Sequence, residues 1–117
     1  LNIFYTNSNP HKAANELCNI HQVKMILEYS QLLSAAHHVI DESNRGDIYK
    51  LSHKNHPSAL WVRSSRQHYE WLYKALRQLH ILFSSRTLYN HKGLGVAKAL
   101  KAPPAGLEDN GFHPPPV

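Results

Sequence analysis

The sequence predicts an all-α fold, a compact single-domain helical bundle, and three observations carry that prediction. Two stretches, residues 20–42 and 64–83, repeat apolar residues at three- and four-residue spacing, as one buried helical face requires. The aromatic and branched residues of an extended segment are confined to the opening NIFYT. Five of the seven prolines are gathered after residue 102, so they interrupt little of what precedes them. The expected layout is a helical domain over 1–102, with a short extended N-terminus, and a Pro-rich extended tail over 103–117.

The elements follow in order. Asn9 is a good N-cap and Pro10 a good first helical residue, so a helix begins at Pro10 and runs to about Cys18. It bends or continues into HQVKMILEYSQLLSAAHH, which ends near Glu42, ahead of SNRG. Residues 44–63 mix turn signals with DIYKLSH and read as a loop holding one helical turn. Ser64 and Gln67 have capping-box spacing, and Tyr69, Leu72, Leu76, Leu79 and Phe83 then recur along one face, with Glu70 and Lys74 paired on a more exposed side. A short helix is expected over 94–100, and the tail then crosses the surface.

Length and composition bound the function. A chain of 117 residues can bury one core without staples, and its single cysteine, Cys18, excludes an internal disulfide and a multi-cysteine metal site. A reducing compartment is expected, and the cytoplasm is the default. No apolar run reaches the roughly 20 residues that cross a bilayer, and Leu1 to Asn9 lacks the pattern of a signal peptide, so no membrane partner is expected. From Arg45 to Lys101 there are eleven Lys and Arg residues against Asp47 and Glu70 alone. Such an excess attracts polyanions by counterion release, which makes DNA or a nucleotide-like ligand the expected partner; a solvated basic surface is the plain alternative.

The long second helix carries the first candidate site. At 100° per residue from His21, Glu28 falls near 340°, Lys24 near 300°, Gln31 near 280° and His38 near 260°, one polar stripe about 100° wide. Met25, Val39, Tyr29, Ile40, Leu33, Ile26, Val23, Leu27 and Ile20 occupy most of the remaining circumference and are expected to pack. The stripe is either the solvent face of an amphipathic helix or a recess. In the recess, Glu28 acts as acid or base, Lys24 as an anion or carbonyl partner, and His21 and Gln31 as hydrogen-bonding groups. Glu28, Lys24 and His21 are the candidate catalytic residues.

HKNHPSALWVRSSRQHYEW is the second constellation. Trp61, Tyr69 and Trp71 alternate with Lys54, Arg63, Arg66 and histidines, the mixture that stacks bases and holds phosphates, although Tyr69 also fits the core face. Ten histidines raise the question of a metal, but His53 and His56 have no acidic or cysteine partner nearby, and His37 and His38 point about 100° apart on a helix. No metal and no cofactor are expected. Glycine-rich phosphate loops, nucleophile elbows and dinucleotide fingerprints are missing from the sequence.

The pattern HxxKMxxExxQxLxxAHxV (His21 to Val39), NHPxxxWxR (Asn55, His56, Pro57, Trp61, Arg63), YxWL (Tyr69, Trp71, Leu72), RxxxxH (Arg86, His91), and then LKxPP and GFxPPP resembles a group of small phage-encoded proteins, many of them marine. More distantly, the layout is similar to phage pyrimidine-dimer DNA glycosylases of the endonuclease V type, which are all-α repair enzymes using an amine nucleophile and a glutamate on an early helix. The resemblance implies Glu28 in the glutamate's place and Lys24 as a substitute amine. Gln31, His37, His38, Asn55, His56, Trp61, Arg63, Arg86 and His91 are the candidate ligand- or nucleic-acid-binding residues; in the base-excision reading Trp61 stacks on a base and Arg63 and Arg86 hold phosphates. A phage origin would place the protein in the cytoplasm of an infected bacterium. The leading expectation is a DNA- or nucleotide-acting protein, with base excision its most concrete form. The alternatives are a non-catalytic pocket protein for a nucleotide-like ligand and a virion or host-interaction module.

Overall fold

Asn9 starts the first helix as its side chain suggests. Its Oδ1 accepts the amides of His11 and Lys12 at 2.9 and 3.1 Å, and Pro10 fills a position where no donor is missed. The computed structural model describes residues 2–17, 19–41, 46–86 and 92–116, with side chains at all of these except 19–23, 84–86 and 92–94. Its helices are α1 (Pro10–Asn15), α2 (Asn19–Ile40), α3 (Pro57–Val62), α4 (Arg66–Arg86) and α5 (Lys92–Ala99), with no strand among the described residues. The fold is all-α. No described helix is long and apolar enough to cross a membrane.

The apolar spacing of the sequence becomes the core directly. Leu72, Leu76 and Leu79 of α4 and Leu32 and Leu33 of α2 are at most 1% exposed, each contributing roughly 1.5–3 kcal/mol by leaving water. α4 packs on all four other helices, and α2 packs on α3, α4 and α5. Glu70 and Lys74 lie on the exposed side of α4, as expected. The single turn expected in the 44–63 loop is α3, with Pro57 at its start and His56 as N-cap.

Besides α1, which ends at Asn15 rather than near Cys18, four details differ from the sequence reading. α2 ends at Ile40 rather than Glu42, although the Asp41 amide still reaches His37 O at 3.1 Å. α5 begins at Lys92, two residues earlier than expected. Leu27 does not pack: it is 47% exposed. Its position, about 240° from His21 on the helical wheel, adjoins the polar stripe rather than the core.

The fourth difference is the start of α4, where no capping box forms. Ser64 Oγ turns back to donate to Trp61 O at 2.7 Å, and Gln67 Nε2 donates to Asp109 Oδ2 at 3.1 Å. The tail supplies the cap instead. The Arg66 amide donates to Glu108 O at 2.8 Å, Ser65 Oγ donates to Gly111 O at 2.6 Å, and the Asn110 amide donates to Ser65 Oγ at 3.0 Å. Asp109 brings a carboxylate to the positive end of the helix dipole. The Gly111 amide, Gln67 and Arg66 hold its carboxyl below the usual aspartate range. Gly111, at φ +86°, makes the turn that aims these groups.

The opening segment is tied down in the same region. Ile3 is buried, the Phe4 amide donates to the Tyr29 hydroxyl at 3.0 Å, and Trp71 Nε1 donates to Ser8 O at 2.9 Å. Tyr5 lies against Trp71 and Phe112, with ring centroids 5.3 and 6.0 Å apart.

Two leucines of α2 test this assignment of faces. Leu33→Ala, at a fully enclosed position, is expected to lower the unfolding free energy by about 3 kcal/mol. Leu27→Ala should change it by less than ~0.5 kcal/mol. Urea denaturation of both variants measures the contrast, and equal losses would contradict the orientation of α2.

Candidate functional site

The polar stripe of α2 divides into two halves with different neighbours. Toward the C-terminal end it is covered by the segment around Tyr49. Ser34 Oγ accepts the Tyr49 amide at 3.1 Å, and His38 Nε2 lies 2.8 Å from Tyr49 O, a geometry that requires the proton on Nε2. Both backbone groups of Tyr49 are thus taken by α2 side chains. His38, expected to bind a ligand, anchors a loop here.

The N-terminal half stays accessible. Lys24 is exposed, while Glu28 and Gln31 are half-buried beside the exposed Leu27. Glu28 Oε2 is shut off from solvent. The neighbouring Tyr29 phenol is pushed up to about 12, first by burial and further by the negative charge of Glu28, with the Phe4 amide acting in the opposite direction. Glu28 therefore lies beside the point where the opening segment is pinned to α2. The side chains of His21 and Arg86, and His91 as a whole, fall outside the described residues.

His37 belongs to the core. It is 2% exposed, with Nε2 at 2.9 Å from the Tyr69 hydroxyl and Nδ1 at 3.3 Å from Asp41 Oδ2. The Tyr69 proton goes to Leu100 O at 2.6 Å, so His37 Nε2–H donates to the phenolic oxygen. This chain joins α2, α4 and the end of α5, and it leaves His37 no face for a ligand. Tyr69 is fully buried, a packing residue with one polar contact at its tip.

The second constellation separates as well. Asn55 is exposed. His56 Nδ1 accepts the Ser58 amide at 3.1 Å, which explains the HisPro pair as a helix start. His53 precedes it with φ 53°, an uncommon left-handed conformation for a non-glycine residue, and its carbonyl closes the turn by accepting the His56 amide at 3.0 Å. Trp61 needs the largest correction. It is 7% exposed, stacks on His68 with centroids 4.2 Å apart, and donates Nε1–H to His113 O at 2.8 Å. It has no open face for a base, because the aromatic cluster around the tail has already enclosed it.

Arg63 differs from these neighbours. It ends α3, it is half-buried, and its Nη1 is enclosed with no hydrogen-bond partner. Burial pulls the guanidinium below the ordinary arginine range, yet it remains a cation at any pH the protein meets. An enclosed donor on a cation costs stability unless something accepts from it, and an oxyanion from outside reaches it only when the groups that cover it move aside. Among the described residues no three His, Cys, Asp or Glu side chains gather around a point that could hold a metal ion.

Sequence reasoning passed over His68, Ser65 and Tyr49. His68 stands one turn before Leu72 in the apolar repeat, which was the available signal for its burial. Nothing local in Ser65 or Tyr49 announces partners that lie 46 and 15 residues away.

Two substitutions separate a hydroxyl that the fold uses from a cation that it leaves without an acceptor at Nη1. Tyr69→Phe should cost about 2 kcal/mol in a denaturation experiment, since Leu100 O and His37 Nε2 lose their partner inside the core. Arg63→Met keeps the apolar stem and removes the unpaired donor, so stability should hold within about 0.5 kcal/mol or rise. A large loss on Arg63→Met would make Arg63 a structural residue.

Compared with protein-family models, with curated proteins and with solved structures, the chain shows no significant match to any of them.

Proposed function

We propose that Arg63 and the accessible half of the α2 face, led by Glu28, form a site for a phosphate-bearing ligand, DNA or a nucleotide, and that base excision is its most concrete activity. The observation that carries this reading is the enclosed, unpartnered Nη1 of Arg63. The packing of α3, which ends at Arg63, on the helix that carries Glu28 supports the reading. So does the cation excess between Arg45 and Lys101.

In this reading Arg63 donates to a phosphate oxygen, and Glu28 stabilises the cationic sugar or relays a proton. Lys24, exposed one turn before Glu28, supplies the amine. Its free base forms a bond to the sugar carbon while the glycosidic bond breaks. The electron pair leaves with the base, which gains the proton that the amine gives up. With Trp61 enclosed, a base is held by other groups.

The test is a binding and turnover screen of the protein against labelled single-stranded, duplex and UV-damaged DNA and a nucleotide panel. Binding should weaken steeply with added salt, and Arg63→Met should weaken it by about tenfold or more. Glu28→Gln should leave affinity within about threefold while cutting any base release by ~100-fold. Affinity that responds to Arg63→Met without any turnover would make the protein a capture protein. No binding at low salt would remove the reading altogether and leave the α2 face as ordinary surface.

A further inference from the structure

The tail does more than cap α4, because its backbone is also bound by one buried imidazole. The His113 backbone is held on both sides: its carbonyl accepts Trp61 Nε1–H at 2.8 Å, and its amide donates to His68 Nε2 at 2.9 Å. His68 is 3% exposed. Its Nδ1 lies 2.8 Å from Trp61 O and 2.9 Å from Ser64 Oγ, whose own hydroxyl proton is already given to Trp61 O. Only one arrangement satisfies these contacts. Nδ1 carries the ring proton and Nε2 offers its lone pair, so His68 is neutral and held in a single tautomer.

A second proton on this ring would have to sit on Nε2, where it would face the His113 amide with two donors opposed at hydrogen-bonding distance. What the surroundings offer a cation is the Trp61 carbonyl, which accepts from Nδ1 and favours the charged ring, but burial outweighs it. From α3 the ring meets the Trp61 indole and carbonyl, from the turn the Ser64 hydroxyl, and from the tail Phe112 and His113. The titratable group facing it is the His113 imidazole, 6.2 Å away between centroids, whose positive charge opposes another.

We infer that His68 is an acid-released latch for the C-terminal strap: the neutral ring fastens residues 108–113 across the junction of α3 and α4, and its protonation unfastens them. Everything the strap carries is released together. The Glu108 carbonyl and Asp109 leave the start of α4, Gly111 and Asn110 leave Ser65, and Phe112 leaves Trp61, Trp71 and Tyr5. Tyr5 in turn adjoins Phe4, which is pinned to Tyr29 beside Glu28. The latch itself stands whether or not Glu28 is catalytic.

The sign follows from linkage. Burial lowers the imidazole below its ordinary 6.5 while the strap is fastened, with the Trp61 carbonyl acting in the opposite direction and the charge of His113 in the same one. Once the strap is free, the ring titrates near that ordinary value. Above about pH 6.5 the latch is insensitive to pH; below it, each further unit weakens fastening about tenfold until the lowered value is passed.

Hydrogen exchange of the full chain, read by mass spectrometry from about pH 7.5 to about pH 5 and corrected for intrinsic rates, tests this. Protection of the strap amides at Asn110, Gly111 and His113 should fall about tenfold per unit below ~pH 6.5, while the buried stretch of α4 keeps its protection. In His68→Gln, whose side-chain oxygen accepts from His113 without titrating, strap protection should be flat. His113→Ala, which keeps the backbone grip and removes the opposing charge, should move release to higher pH. NMR of the His68 ring in the unmodified protein gives a check independent of any variant, because the ring should gain its proton at the low end of the pH range over which strap protection falls. Strap protection that does not change with pH, a loss that persists in His68→Gln, or a His68 titration that leaves the strap protected would each overturn the latch.

Discussion

The hydroxyl of Tyr69 is the contact on which the rest of the arrangement depends. It lies in a fully buried position, donating to Leu100 O at 2.6 Å and accepting from His37 Nε2 at 2.9 Å. Leu100 immediately follows α5, so its carbonyl belongs to the last turn of a helix and has no partner further along the chain. His37 sits near the end of α2, with its second nitrogen toward Asp41. One phenol on α4 therefore satisfies a backbone acceptor and a buried ring from two other helices. Apolar packing alone would let these helices slide, because it has little direction. A short chain of hydrogen bonds inside a low-dielectric core sets their register, since misplacing any member leaves a polar group unpaired.

Around that centre, the two ends of the described chain meet in one aromatic cluster. Tyr5 from the opening segment and Phe112 from the tail both lie against Trp71, and Phe112 also meets Trp61 and His68 edge-on. The indole nitrogens do not stay idle in this apolar setting. Trp71 Nε1 holds Ser8 O, and Trp61 Nε1 holds His113 O. Each tryptophan thus supplies apolar area together with a hydrogen bond to an irregular segment, which has no helix partners of its own. Capping of α4 by residues 108–111 follows from this docking.

Charge is treated differently on the α2–α3 side. His37 and His38 are both occupied by protein partners, as is the His56 ring nitrogen at the start of α3. Arg63 keeps an enclosed donor without an acceptor. Ser52 Oγ is likewise enclosed without a partner, but the arginine donor sits on a cation, so leaving it bare costs more. The Lys24, Leu27, Glu28 and Gln31 face lies on the helix that α3 packs against.

Much of the fold was legible in the residues themselves. The apolar repeats of α2 and α4, the Asn9–Pro10 start and the single turn at Pro57 all express local rules, because backbone geometry and burial of one face act within a few residues. The helical wheel also separated Lys24, Glu28 and Gln31 from the core, and it would have placed Leu27 beside them had its angle outweighed its hydrophobicity. What local rules could not supply was the identity of distant partners. Ser64 and Gln67 have capping-box spacing, yet Glu108, Asp109, Asn110 and Gly111 do the capping. Trp61 reads as a stacking platform until His68 and the tail cover it, and His37 reads as a ligand until Tyr69 claims it. The sequence by itself determined that the chain is helical and which faces are apolar, since those depend on residue type and period. Which polar groups keep a protein partner is settled only in the assembled fold, because a hydrogen bond has direction and a limited number of partners, and those partners come from distant parts of the chain.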